Sequence, residues 1–469
     1  MTLGTVGPHS LFASIAAAMA AAGPGGTIEL ESGYSHETAT VLFSGMTFFG
    51  GAQSRDIVLN LGSGITTVTL TGSANIDLND ASDGNGIVGN AGNNLITVTG
   101  GVDAVDGGLG IDRLVVDYRQ AIGAITGDST SNFTEAGGGG RSVTMTDGTI
   151  EHFTILTGSG ADTITTGAGN DIIKTGQGAS TVTAGQGANI IFGGNDSDTI
   201  TALGGGNLVR AGNGTNTVTT GAGADVIFSG TGSDTITAGA GVDHITLHGG
   251  ADSVDAGAGH DRLFLNYAAL LTNVSGGIAG GNAKTGYVGH IADLTGSTVD
   301  FRQVESFTIT TGSGDDTVTT GNGADILRGN DGRDVFRAGG GQDMLFGGNG
   351  RDVLHGGTGA DQLTGGDGAD NFVFATRAEA GIGATHDVIR DFRSGVDHIN
   401  LVGIDADVRV NATGDQAFHF IGNAQFGAVA GELRYANGMV RGDVDGDGMA
   451  DFTIEVGMVP NLSVHDFFL

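Results

Sequence analysis

The stretch "GGNGRDVLHGGTGADQLTGGDGAD", residues 347–370, repeats a nine-residue unit in which Asp352, Asp361 and Asp370 hold the same place. Six turn-forming residues open each unit, and a polar, apolar, polar triplet closes it. This pattern predicts a very short strand after each glycine-rich turn, with two units forming one coil that carries a strand on each side. Because the apolar residue of each triplet points inward, stacked coils share a thin core. The pattern therefore predicts an all-β chain built as a parallel β-roll or β-helix solenoid.

The period extends far beyond this stretch in both directions. Twelve uninterrupted units occupy 157–264, seven occupy 311–373, and a degenerate set lies at about 61–115. "DRLVVDY" at 112–118 matches "DRLFLNY" at 261–267, which indicates a duplicated insertion. Each copy is expected to leave the roll, run through a variable glycine-rich loop, and re-enter at a strand centred on Phe153 or Phe307.

These patterns divide the chain into segments whose boundaries we predict from composition and period. The predicted segments are a helix cap with the first β-helix-like coils at 1–60, degenerate repeats at 61–115, an inserted β module at 116–156, the first β-roll at 157–264, a second inserted module at 265–310, the second β-roll at 311–373 and a small C-terminal β domain at 374–469.

The charge of the chain favours cations as partners. Lys and Arg number 19 and Asp and Glu 52, which gives a formal net charge of −33. Such a chain is a poor partner for nucleic acid or an anionic membrane surface. The absence of cysteine excludes thiol redox chemistry. No apolar run is long enough to predict a transmembrane segment, and no Lys or Arg precedes the apolar stretch at 11–26, so a cleaved signal peptide is not expected there.

The turn G-G-x-G-x-D combines the ligand types that Ca²⁺ prefers. Its glycines permit positive φ and leave carbonyl oxygens facing outward, and its aspartate adds a carboxylate. Turns on the same side come from units two apart, so one ion is expected between aspartates 18 residues apart. The expected calcium pairs are Asp316/Asp334, Asp325/Asp343, Asp334/Asp352, Asp343/Asp361 and Asp352/Asp370 in the second roll, and Asp225/Asp243, Asp234/Asp252 and Asp243/Asp261 in the first. The glycines assigned to these turns are Gly348, Gly350, Gly357, Gly359, Gly366 and Gly368.

About eight ions follow from these pairs, and their 16 positive charges would offset about half of the −33. The sixth position is instead occupied by Ser180, Asn189, Asn207 and Asn216 in part of the first roll. We predict that this part binds little calcium and is held by hydrogen bonds of those side chains. Without metal, a disordered state of the repeats becomes the alternative.

A separate acidic loop, "DVDGDGMAD" at 443–451, places Asp443, Asp445, Asp447 and Asp451 at relative positions 1, 3, 5 and 9. It begins like an EF-hand loop, but the twelfth position is Ile454 rather than Glu and the flanks read as strands. A calcium loop and a plain acidic β-turn both stay open.

The nonapeptides resemble the hemolysin-type calcium-binding repeats of the RTX family. The tail, through "DVIRDFRSGVDHINL", "GELRY", "GDVDGDGMADF" and "DFFL", resembles the C-terminal domain of serralysin-type secreted proteins. The resemblance implies a β-roll that folds on extracellular calcium and an uncleaved signal for type I secretion machinery in Asp466, Phe467, Phe468 and Leu469. None of the histidines begins the H-E-x-x-H motif of a serralysin protease domain.

Two functions remain open. The first is a secreted or cell-surface, non-enzymatic calcium-binding protein with a structural or adhesive role and a glycan or cell-surface partner. The alternative is an extracellular polysaccharide lyase or epimerase that uses the N-terminal β-helix, where His36, Glu37, Arg55 and Asp56 form a polar cluster. A groove on residues 27–110 with several carboxylates beside Tyr, Lys or Arg would favour the enzyme.

Overall fold

The structure, a computed structural model, describes residues 3–7, 9–51, 53–80, 83–146, 148–409, 416–457 and 459–469. The chain divides into two compact units, Met1–Gly230 and Thr231–Leu469. Within the described ranges, no helix is long and apolar enough to cross a membrane.

The first unit consists of one helix and short strands. The helix α1 is Ile15–Ala22. Strands β1 to β11 are Leu3–Val6, Thr27–Leu30, Ser35–Val41, Met46–Gly50, Arg55–Leu61, Thr67–Gly72, Ile76–Asn79, Gly86–Val88, Leu95–Val98, Val102–Asp106 and Arg113–Asp117. Strands β12 to β23 are Ile125–Asp128, Asn132–Glu135, Ser142–Met145, His152–Leu156, Thr163–Thr165, Ile172–Lys174, Thr181–Ala184, Ile190–Gly194, Thr199–Ala202, Leu208–Gly212, Thr217–Thr220 and Val226–Phe228.

The second unit contains the helix α2, Arg377–Ala380, and the 3₁₀ turns Gly383–Thr385 and Val464–Asp466. Strands β24 to β36 are Thr235–Thr237, Ala240–Gly241, His244–Leu247, Ala251–Asp255, Ala258–Gly259, Arg262–Asn266, Val274–Asn282, Gly286–Asp293, Thr298–Val304, Ser306–Thr310, Thr317–Thr319, Ile326–Gly332 and Val335–Arg337. Strands β37 to β49 are Gly340–Gly341, Met344–Gly350, Val353–His355, Thr358–Gly359, Gln362–Gly368, Asn371–Val373, Asp387–Ile389, His398–Asn400, His419–Phe420, Glu432–Ala436, Met439–Asp443, Phe452–Val456 and Phe467–Phe468.

The repeats form stacked coils whose strands pair in parallel with the strand 18 residues away. Thr163 pairs with Thr181 on one side of the coil, and Ile172 pairs with Ile190 on the other. The central apolar residue of each triplet, such as Ile173, is buried because side chains alternate along a strand. The predicted parallel solenoid is confirmed.

The helix α1 covers the first coils of the first unit. Ser14 caps its N-terminus by accepting a hydrogen bond from the Ala17 amide at 3.2 Å. Its buried face, Ile15, Ala18 and Met19, packs on β1, β2 and β3. The alanine-rich helix thus lies against the first coils, and its role as an N-terminal cap stays a prediction.

The duplicated insertions are antiparallel strands rather than the variable loops expected from their glycine content. In the first copy, β12, β13 and β14 form an up-down-up meander, with β14 parallel to β10 and β12 parallel to β16. In the second copy, β30, β31 and β32 repeat this arrangement between β27 and β34. Two reversals of direction restore the parallel order, so each insertion stays within the sheet and pairs its backbone groups.

The C-terminal segment continues the sheets of the second unit. Strand β43 adds to β41, β44 adds to β42, and β49 adds to β44. A meander of β46, β47 and β48 joins through β48 to β43. The β structure after 373 is therefore built directly on the last repeats.

Candidate metal sites along the coil turns

The sixth-position aspartates of the second roll form two buried rows. From Asp334 onward, each carboxylate accepts, through Oδ1, a hydrogen bond from the backbone amide of the aspartate one coil earlier. The five N to Oδ1 distances are 2.9 Å for Asp316 to Asp334, 2.7 Å for Asp325 to Asp343, 2.9 Å for Asp334 to Asp352, 2.9 Å for Asp343 to Asp361 and 3.0 Å for Asp352 to Asp370. All five predicted pairs of this roll are thus brought together. We name Asp316, Asp334, Asp352 and Asp370 row A, and Asp325, Asp343 and Asp361 row B.

Along the middle of both rows, no described residue donates a hydrogen bond to the second carboxylate oxygen. Oδ2 of Asp334, Asp343, Asp352 and Asp361 is buried without a hydrogen-bond partner in the described part of the chain. A β-carbon at Gly347 would collide with Oδ2 of Asp352 and with the carbonyl oxygen of Gly365 in the next coil. The glycine thus leaves a space that is lined by oxygens. Carboxylate and carbonyl oxygens around such a space are the donor set that Ca²⁺ takes, so these residues fit the ion.

The six predicted glycines allow the turns to stack closely. Gly348, Gly350, Gly357, Gly359, Gly366 and Gly368 all have positive φ, from 94° to 151°. At Gly350, a β-carbon would collide with the carbonyl oxygen of Gly332, its counterpart one coil earlier. Any other residue would therefore separate the coils and move the carbonyl oxygens of the turns.

In the turns of the first roll that contain asparagine, the side-chain amide supplies the hydrogen-bond donor that an aspartate side chain lacks. Asn189 Nδ2 donates to the carbonyl oxygens of Gly185 and Gly187, each at 3.3 Å. Asn216 Nδ2 donates to the Gly212 carbonyl at 3.0 Å and the Gly214 carbonyl at 3.4 Å. The amide nitrogen thus satisfies the carbonyl oxygens of the second and fourth turn positions. In an aspartate turn an oxygen replaces this nitrogen, so a proton or a cation is needed between the same groups in place of the lost donor.

Ser180 closes its turn in a related way. Its Oγ donates to the Gly178 carbonyl at 3.2 Å, and its own amide donates to Asp198 Oδ1 at 2.8 Å. The Asn207 side chain likewise donates to the Gly205 carbonyl at 3.2 Å. The hydrogen bonds predicted for this part of the roll are present, and its low calcium content stays a prediction.

The aspartate rows are electrostatically costly when charged. Burial, together with a smaller effect of neighbouring aspartates of the same row, raises the pKa of Asp334 and Asp343 to about 8 each. Burial raises the pKa of Asp325 to about 7. Stacked carboxyl groups with these pKa values need protons or cations for neutralisation.

Two predicted pairs of the first roll have the same geometry. The Asp234 amide donates to Asp252 Oδ1 at 2.9 Å, and the Asp243 amide donates to Asp261 Oδ1 at 2.8 Å. Oδ2 of Asp252 and of Asp261 is buried without a partner. The pair Asp225/Asp243 joins residues of the two units and stays a prediction.

The nine-residue count missed acidic residues that extend these rows. The Asp361 amide donates to Asp387 Oδ1 at 2.8 Å, and Asp387 is fully buried with an unpartnered Oδ2. Asp387 follows Asp361 by 26 residues rather than 18, because α2 and a 3₁₀ turn intervene. At the ends of the insertions, Glu151 and Glu305 occupy the position one coil later and accept hydrogen bonds from the backbone amides of Asp112 at 2.7 Å and Asp261 at 2.8 Å. The two glutamates hold the same position in the matching stretches "IEHF" and "VESF", and this match could have identified them from the sequence.

The acidic loop at 443–451 joins the antiparallel strands β47 and β48. Carboxylate oxygens of Asp443, Asp445 and Asp447 lie within 4.8 Å of one another. Asp451 is not part of that group, since its Oδ2 accepts from the Val444 amide at 2.7 Å and its Oδ1 lies 3.9 Å from Arg377 Nη1. Both oxygens of Asp443 already accept amides of the loop. The geometry therefore unites three of the four predicted ligands.

A shallow groove of about 390 Å³ lies on the outer face of the first unit. It is lined by Arg55, Asp56, Asn75, Asp77, Asn93, Asn94, Leu95 and Arg113. At its end, His36 Nε2 lies 3.1 Å from Asp56 Oδ2. Both residues have positive φ, 64° and 55°. Glu37 is not in the groove lining and accepts from the Ile15 amide at 3.0 Å.

Comparison with known proteins identifies the repeats. A family model described as RTX calcium-binding nonapeptide repeat (4 copies) matches residues 82–114, 154–182, 166–200, 175–209, 201–236, 210–245, 228–263, 310–345 and 346–374. No curated protein matches the chain. Among solved structures, the extracellular lipase LipA from Serratia marcescens matches with 16% identity and a TM-score of 0.16, over 54% of this chain and 40% of the lipase. The chain thus spans less than half of that lipase.

Proposed function

Because the chain carries RTX calcium-binding nonapeptide repeats, we propose that it is a secreted protein whose rolls fold on extracellular calcium and serve a structural or cell-surface role. The observation that carries this proposal is the pair of aspartate rows, in which buried Oδ2 atoms such as that of Asp343 have no hydrogen-bond donor. Calcium supplies the positive charge that these oxygens lack.

The residues of the chain explain why folding depends on the ion. Without a cation, rows A and B stack like charges in a site from which water is excluded, and the thin core of one apolar residue per strand offers little compensation. When a preformed site is absent from the unfolded chain, the free energy of metal binding becomes free energy of folding. Low cytosolic calcium would then keep the chain unfolded, and millimolar calcium outside the cell would fold it.

The C-terminus supports an order of events in export. Asp466 is buried and accepts from the Gly395 amide at 2.6 Å and from the Ser463 amide at 2.6 Å. Phe467 is buried, and Phe468 stacks on His398 with ring centroids 4.5 Å apart. We infer that type I secretion machinery recognises Asp466, Phe467, Phe468 and Leu469 before the roll folds, because folding buries Asp466 and Phe467.

Anomalous diffraction from crystals grown in calcium tests the proposed sites. We expect ions at the five pairs of the second roll, at Asp234/Asp252 and Asp243/Asp261, and at Asp361/Asp387, with Asp225/Asp243 completing the predicted set. We expect little calcium between Ser180 and Asn216, where side-chain amides and a hydroxyl occupy the place of the cation in every turn but that of Asp198. Ions at full occupancy along that stretch, or none in rows A and B, would contradict the proposal.

The groove on the first unit supports a second candidate function, an enzyme acting on acidic polysaccharide. Arg55 and Arg113 line it together with Asp56 and Asp77, and arginine is suited to bidentate binding of a sugar carboxylate. His36 places an imidazole beside the Asp56 carboxylate at the end of this groove. Incubation with a panel of uronate polymers, followed by the ultraviolet absorbance of unsaturated products, tests it. Turnover that is lost in His36→Gln supports the enzyme, and no turnover on any polymer removes it.

A further inference from the structure

We propose that Arg393 occupies, with its own guanidinium, the cation position that follows Asp370 in row A, so that this coil closes without calcium. The inference goes beyond the proposed function and rests on it, since it assumes that the other positions of the rows take calcium.

The aspartate row continues past the repeats at this point. The Asp370 amide donates to Asp397 Oδ1 at 3.1 Å, as each aspartate of row A donates to the next. Asp397 is 2% exposed and Asp370 is fully buried. The pair Asp370/Asp397 therefore has the backbone geometry of the calcium pairs before it.

The side chain of Arg393 lies between the two carboxylates. Its Nη2 donates to the Gly368 carbonyl at 2.5 Å and lies 4.0 Å from Asp370 Oδ2. Its Nε lies 3.7 Å from Asp397 Oδ2, and its backbone amide donates to the same oxygen at 2.7 Å. A positive charge and hydrogen-bond donors are thus already present where the other pairs have only oxygens.

Arg393 donates to the turn carbonyl that, in the asparagine turns of the first roll, accepts from the asparagine side chain. Gly368 is the fourth residue of its turn, as Gly187 and Gly214 are of theirs. Those two carbonyls accept from the amide nitrogens of Asn189 and Asn216. Arg393 therefore satisfies the carbonyl that an asparagine side chain satisfies in a calcium-free turn, and in addition neutralises the aspartate that stands in place of the asparagine.

Row B ends differently. The pair Asp361/Asp387 has the same amide to Oδ1 contact, at 2.8 Å, but Asp387 Oδ2 is buried with no hydrogen-bond partner among the described residues. No ion pair to Asp387 is formed there by a described Lys, Arg or His. The same C-terminal segment thus closes row A with an arginine and leaves row B in need of an ion.

The test counts bound calcium per chain by equilibrium dialysis against saturating calcium, with metal analysis of the full-length protein. We expect Arg393→Gln to bind one more ion than the wild type, because the neutral amide vacates the position. Arg390→Gln is the matched control, since Arg390 is exposed and its Nη2 donates to Gln362 Oε1 at 3.0 Å. Equal ion counts in a folded Arg393→Gln and the wild type would overturn the inference.

A second pair of variants keeps the inference testable if Arg393→Gln fails to fold. Asp397→Asn should leave the ion count unchanged, because Arg393 serves that position, whereas Asp387→Asn should lower it by one. Loss of an ion in Asp397→Asn would overturn the inference. A wild-type chain that binds no calcium would instead refute the proposed function, so the two failures give different results.

Discussion

At the scale of the residue, the exchange of one side-chain nitrogen for an oxygen decides whether the carbonyl oxygens of a turn have a hydrogen-bond donor. The amide nitrogen of Asn189 donates to two turn carbonyls, whereas the equivalent oxygen of Asp343 is buried without a donor. Both side chains otherwise occupy the same place, and both Oδ1 atoms accept an amide from the previous coil, from Asp171 at 3.0 Å and from Asp325 at 2.7 Å. Under the proposed function, aspartate therefore converts a self-sufficient turn into a cation site.

The double variant Asn189→Asp, Asn207→Asp should convert part of the first roll. We expect it to bind additional calcium and, at the lowest calcium concentration that folds the wild type, to lose about 1–3 kcal/mol of stability for each donor removed, because buried carbonyls lose their partner. Calcium counting at saturation and thermal unfolding at that low concentration measure the two effects. Asn213→Asp is the control, since Asn213 is exposed. A double variant that behaves like this control would contradict the account.

The rows also predict how pH acts on the calcium-free protein. Burial raises the pKa of Asp334 and Asp343 from 3.8 to about 8, and of Asp387 to about 9. The folded chain then holds protons that the unfolded chain releases near its ordinary pKa, so stability falls as the pH rises through this window. In calcium-depleted buffer we expect a cooperative thermal transition at about pH 5 and a lower unfolding temperature, or no folded state, at about pH 8. Calcium should reverse the trend because protons compete with the ion, and an unfolding temperature independent of pH would contradict this.

At the scale of the element, the strands that re-enter the roll are anchored by phenylalanine. Phe307 on β33 is fully buried and contacts Phe301 edge to face, with ring centroids 5.0 Å apart. Phe153 on β15 contacts Phe133 at 6.0 Å in the first insertion. These pairs tie each meander to the opposite sheet, which is why the insertion does not interrupt the core.

We expect Phe307→Ala to cost about 3–5 kcal/mol, the range for a phenylalanine removed from a filled core. Phe346→Ala is the control, since Phe346 is half-buried on the outer face beneath Arg328, and should cost about 1 kcal/mol. Denaturant unfolding in saturating calcium gives both values. Equal losses in the two variants would show that the re-entry strand has no special place in the core.

The elements that a strict period defines could be predicted from the sequence, and those that depend on pairing at a distance could not. A count of nine gave the coil, its register of 18 and the aspartate rows. The meanders could not be predicted from the sequence, because a glycine-rich strand such as Val274–Asn282 is stable only through its neighbours β31 and β34. The contacts of Asp387 and Arg393 with the aspartate rows could not be predicted either, because both residues follow α2 and lie outside the nine-residue period.

At the scale of the whole molecule, the net negative charge of the chain opposes the compact fold. A chain of net charge −33 places much of its negative charge in buried rows rather than on the surface. Self-repulsion opposes the compact state of such a chain, and bound cations remove it. Under the proposed function, the same groups therefore hold the coils together in calcium and hold them apart without it.

Calcium titration of the full chain, followed by far-ultraviolet circular dichroism, tests this central claim most directly. We predict a largely disordered spectrum in chelator and a cooperative transition to β structure as calcium is added, with reversal on renewed chelation. Magnesium at the same concentrations should be much less effective, because it demands a smaller, near-octahedral site. A β spectrum that is the same in chelator and in calcium would contradict the account.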